Sequence, residues 1–206
     1  MAMDRPFHKL YVQPSEAVML SHRLRIAWAT QVCETTIHCY SQYFRKEYLQ
    51  ERVFSFLWAF AQSGDLGTEE AVSMIERLED MQEKADEEDY TGDSLWPTIL
   101  LLHELMSESG DDCVQAIDYA ALSFANLQLF KQGICSFDPV VPSDYYYSLT
   151  DNVYDYSRRI FDCCVKNPGV AIQRNMFANH ELNLQVPLLP VGILANKSTT
   201  PPAHEQ

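Results

Sequence analysis

The sequence predicts an all-α fold: one domain of about seven helices over residues 1–183, then an extended, proline-containing tail over residues 184–206. Three observations predict it. Apolar residues recur at three- and four-residue steps, and no stretch alternates between turn signals as a hairpin strand does. The runs of helical spacing are bracketed by capping residues at their starts and by glycine or proline at their ends. With 206 residues, 47% of them hydrophobic and 21% charged, the chain can close one core without staples.

The elements follow in order. Ser15, after Pro14, caps a first helix with Glu16 in its opening turn. Val18, Leu24, Ile26, Ala27, Val32, Ile37 and Tyr40 carry the helical pattern to about Tyr43, with a break near Ser21. A second helix spans about Glu47–Gln62 on Val53, Phe54, Leu57, Trp58 and Ala61, and Gly64 ends it. Thr68 is the expected N-cap of a third, whose apolar stripe is narrow: Val72, Ile75, Leu78 and Met81. A fourth starts near Asp93 or Ser94 with Pro97 in its first turn. Ile99–Leu102 and Leu105 make it apolar nearly all round, the expected central buried helix.

The fifth runs from Asp111 or Asp112 to about Gln132, stops at Gly133, and carries Ala116, Ala120, Ala121 and Ala125 for close packing. Ile134–Leu149, with Pro139 and Pro142, reads as an ordered loop. Asp151–Lys166 is the sixth helix, ended by Asn167-Pro168-Gly169, and a short seventh covers about Val170–His180. Pro187, Pro190, Pro201 and Pro202 exclude a long helix beyond Leu184, and about the last ten residues are expected to be disordered.

No signal peptide opens the chain, and the longest near-apolar stretch, around Leu95–Leu102, is far too short to span a bilayer. A soluble, cytoplasmic protein with no membrane contact is expected. Six cysteines lack any C-x-x-C spacing and fall mostly on apolar helix faces, so reduced, buried thiols are expected.

Chemistry-bearing motifs are absent. There is no phosphate-cradling glycine loop, nucleophile elbow or H-E-x-x-H. The E-x-x-H pairs of a di-iron bundle are missing: Thr35, Leu100 and Phe177 stand three residues before His38, His103 and His180. Glu34 and His38 share a helix face, flanked by Cys33 and Cys39, which reads either as part of a metal or acid–base site or as a structural polar pair. No catalytic residue, metal ligand or cofactor is assigned.

Charge is the informative feature. Residues Asp65 to Asp118 hold 17 acidic and two basic side chains, a net −15, whereas the whole chain is −14. The rest of the chain is therefore nearly neutral. This balance argues against nucleic-acid binding, which needs a basic face. It fits a surface that steers a basic partner. The candidate contact residues are Glu76, Glu79, Asp80, Glu83, Asp86, Glu87, Glu88 and Asp89. The spacing of Asp86–Asp93 lacks the calcium-loop pattern. A second candidate surface is tyrosine-rich: Tyr145, Tyr146 and Tyr147, with Tyr154 and Tyr156 close behind, either anchor a partner or pack the loop on the bundle. The apolar run Val186–Val191 is expected to dock in extended form.

Cys33-Glu34, Tyr40, Leu57-Trp58 and Trp96-Pro97, with their spacing, resemble the YjaG-like bacterial family of small acidic helical proteins, over roughly Leu20 to Phe130. Thr35 stands where that family has arginine, and Trp96-Pro97 where it has Tyr-Pro. The resemblance implies an all-α fold and no established enzyme activity. It raises a toxin-neutralising role, because relatives of such domains occur beside toxin genes, but transfers no functional residue. The expected function is a cytoplasmic protein-binding module, most concretely an immunity protein that occludes the active site of a cognate, basic toxin domain. The alternatives are a metal protein or enzyme using Glu34 and His38, and a housekeeping adaptor.

Overall fold

The computed structural model describes residues 11–39, 48–65, 67–84, 91–134 and 142–185. Among the described residues, seven helices form a bundle: α1 Pro14–Ala17, α2 His22–His38, α3 Tyr48–Ser63, α4 Thr68–Lys84, α5 Thr91–Ser107, α6 Asp111–Lys131 and α7 Ser143–Lys166. The described residues contain no strand. The break near Ser21 is present: Ser21 is the N-cap of α2, its hydroxyl accepting from the Leu24 amide. At the start of α4 the cap falls one residue early, on Gly67, whose carbonyl accepts from Ala71 N at 2.9 Å.

The centre of the bundle is shared by α2 and the fourth predicted helix, α5, which packs on α2, α3, α4 and α6. α2 packs on α3, α5, α6 and α7 together. Trp28 lies wholly buried on it and donates from Nε1 to the Ser157 carbonyl of α7 at 3.0 Å. Its ring meets Phe161 edge-on at 5.3 Å. α5 is well buried too, but Trp96 and Met106 reach solvent along one side. The four alanines of α6 are completely buried, which lets that helix sit close against α2, α5 and α7.

Three sequence expectations change. Tyr145–Tyr147 lie in the opening turns of α7 rather than in a loop, because Pro142 occupies the N-cap position, where an extended backbone and no amide hydrogen are harmless. Pro97 lies inside α5 rather than in its first turn, since the helix begins at Thr91. No helix forms over 170–180. That segment closes three-residue turns instead, Gln173 O to Met176 N, Asn175 O to Ala178 N and Phe177 O to His180 N.

Residues 167–185 thereby make a strap across the bundle. Phe177 and Leu182 bury into the core. Arg159 donates to the Glu181 carbonyl at 3.0 Å and Asn152 to the Gln185 carbonyl at 2.8 Å. The expectations for Val186–Val191 and the last ten residues lie outside the described residues, as do those for Tyr40, Asp86–Asp89 and Cys135. No helix among the described residues is long and apolar enough to cross a membrane.

Candidate functional site

α4 lies at the edge of the bundle, with α5 as its main support. Its buried stripe is Ala71, Met74, Ile75 and Leu78. Val72, expected in that stripe, points out and is 40% exposed. The helical wheel explains the shift: Ala71, Met74, Ile75 and Leu78 are spaced three and four apart, and Val72 falls off that line. The outer face carries Glu69, Glu70, Glu76, Glu79, Asp80 and Glu83, all exposed. Arg52 bonds Glu70 at 2.8 Å, Lys84 bonds Asp80 at 2.6 Å, and His103 approaches Glu79 at 3.9 Å. These are solvent-screened contacts, each worth about 0–1 kcal/mol.

Two carboxylates of the acidic segment do not belong to this surface. Glu104 is fully buried and takes the Arg25 guanidinium at 2.8 Å. It also accepts the Gly110 amide, at 2.9 and 3.0 Å on its two oxygens. Asp118 accepts the hydroxyls of Tyr11 at 3.2 Å and Tyr154 at 2.9 Å.

The tyrosines are half-buried on α7. Tyr145 exchanges hydrogen bonds with the Gln132 amide at 2.9 and 3.0 Å, and Tyr146 donates to Asn126 at 2.8 Å. Both pack on a small apolar cluster of Ala125, Leu129, Ile134 and Leu149. Tyr147 meets the Tyr146 ring edge-on at 6.4 Å. α4 packs on α5, α5 on α6 and α6 on α7, so the acidic face and the tyrosines are set two helices apart. They do not form one patch.

Glu34 and His38 do lie together, but not as an acid–base pair. The His38 ring donates from Nδ1 to the main-chain oxygen of Glu34 at 2.8 Å. The Glu34 carboxylate, only 7% exposed, is held by Trp58 Nε1 at 2.9 Å and by the guanidinium of Arg174 from the strap. Beside it Gln31 donates to Thr35 at 2.7 Å and to the Tyr156 hydroxyl at 3.1 Å. Gln31, Glu34, Thr35, His38, Cys39 and Arg174 line an open pocket of about 430 Å³.

Cys39 there is no ready nucleophile. Its thiol donates to the Thr35 carbonyl at 3.1 Å, and burial pushes its pKa up, with the charge of Lys131 opposing. No group of three metal-ligating side chains occurs among the described residues. Arg174 was missed in the sequence because it lies 140 residues from Glu34 and carries no local signal.

The fold and this geometry define an all-helical bundle. No family model, curated protein or solved structure gives a significant match to the chain.

Proposed function

We propose that this protein is a protein-binding module that presents the outer face of α4 to a basic partner. In its most concrete form it is an immunity protein that covers the active site of a cognate toxin domain. One observation carries the reading: a peripheral helix held by a four-residue stripe exposes six carboxylates, within a segment, residues 65–118, outside which the chain's charge is nearly balanced. Such a face speeds encounter with a basic surface and rejects acidic competitors.

The test is capture from cell extract with two baits, the wild type and the triple reversal Glu76→Lys, Glu79→Lys, Glu83→Lys. A basic protein held by the wild type at about 0.1 M salt, shed at about 0.5 M, and not held by the variant supports the reading. The same proteins on both baits would overturn it.

A further inference from the structure

The pocket over Glu34 has a chemistry that the acidic face of α4 does not share. Its floor is a buried carboxylate with one donor on each oxygen, an indole N–H and a guanidinium. A cation entering the pocket would have to displace Arg174. An anion would not. The Arg174 side chain is half exposed, and among the described residues it bonds Glu34. A guanidinium carries more donors than one carboxylate oxygen can use, and its planar fork matches the two oxygens of a carboxylate or phosphate.

Glu34 therefore orients a cation whose outer edge faces open space. His38 also lines the pocket. Gln31 and Thr35 add neutral polar groups. The pocket, about 430 Å³ and wide open to solvent, leaves room for a small organic anion beside Arg174.

We infer that the Glu34–Arg174 pocket binds a small organic anion, gripping its carboxylate or phosphate group with the Arg174 guanidinium. Glu34 is the positioning residue and Arg174 the contact. The site is independent of the α4 face.

Cys39 supplies the readout, because it lines the pocket and is half-buried. Alkylation of Cys39 is followed by site-resolved mass spectrometry with about 10 mM inorganic phosphate, with about 10 mM citrate, and with sodium chloride at equal ionic strength; thermal unfolding is measured alongside. Protection of Cys39 by about threefold or more over the chloride control, with a raised melting temperature, is expected from at least one anion. Phosphate alone identifies a phosphoryl ligand; citrate alone identifies a carboxylate. Arg174→Lys keeps a charge against Glu34 but loses the fork, and it should remove most of the protection. Equal alkylation in both anions and chloride, or full protection retained in Arg174→Lys, would overturn the inference.

Discussion

Arg25 and Glu104 lie 79 residues apart in the chain and 2.8 Å apart in the bundle, both buried, with the guanidinium Nε against the carboxylate Oε1. The pair is fully served. Arg25 also donates to the Leu20 carbonyl at 3.4 Å and the Glu108 carbonyl at 2.8 Å. Glu104 spends both oxygens on the Gly110 amide as well. One ion pair thus ties α2, α5 and the α5–α6 turn. Removing one partner leaves a buried charge unpaired, which costs about 3–5 kcal/mol. Glu104→Gln should lower stability by that order in urea unfolding, and Arg25→Met with Glu104→Leu should recover much of it. A double variant as unstable as the single would show that the cost lies in the lost hydrogen bonds rather than in the stranded charge.

Gly110 sits where that pair meets the α5–α6 turn, at φ +82°, and a Cβ there would lie 3.0 Å from Val18 Cγ1. Gly133 has φ +71° with nothing within 4 Å. Left-handed backbone alone costs a side chain about 1–2 kcal/mol. Gly133→Ala should show that cost and Gly110→Ala should exceed it in denaturant titrations. Equal losses would mean that the α1–α2 turn yields freely to Gly110.

Burial sets an alkaline limit on stability. It pushes the Cys164 thiol up to about 12, and raises Cys33 and Cys113 above their ordinary value of 9.0. A thiol raised in the folded state favours folding fully below its unfolded pKa and loses that contribution as pH rises through the folded value. Above pH ~9 each should therefore subtract up to about 1.4 kcal/mol per pH unit. Melting temperature against pH should fall on that side, and Cys164→Ala should flatten the fall. At the acid end Arg158 holds the Glu16 carboxyl below its usual range. Its contribution is present above the unfolded carboxylate pKa and fades as pH drops through the folded one.

The strap is part of the core, and Phe177, 1% exposed, is its anchor. Phe177→Ala should cost about 3–5 kcal/mol in a single cooperative transition. A small loss confined to the strap would instead mark residues 167–185 as a separable unit.

Local signals made most elements legible, and only non-local ones decided the rest. Ser21, Gly64 and Gly133 punctuate helices within a turn of themselves, and the sequence places those ends closely. The enclosure of α2 escaped because Arg25, Thr30, Glu34 and Thr36 interrupt its apolar pattern, although all four are buried. A helix can be enclosed with charges on it only if partners from elsewhere meet them, and Glu104 and Arg174 stand far along the chain. The acidic segment likewise looked uniform, yet Glu104 and Asp118 turn inward because Arg25, Tyr11 and Tyr154 receive them. For the tyrosines, Pro139 and Pro142 read as loop, whereas Pro142 only precedes a helix.

The strap also sets an order on biosynthesis. α2 leaves the ribosome early, but the arginine that neutralises Glu34 is 140 residues behind it. At roughly 5–20 residues per second that is an interval on the order of 10 s. During it the nascent chain holds a carboxylate on what becomes an enclosed helix with no counter-ion and no lid. The strap can close over Glu34 only after translation of nearly all the described chain. Until then, water at the Glu34 face is the natural guard against premature burial.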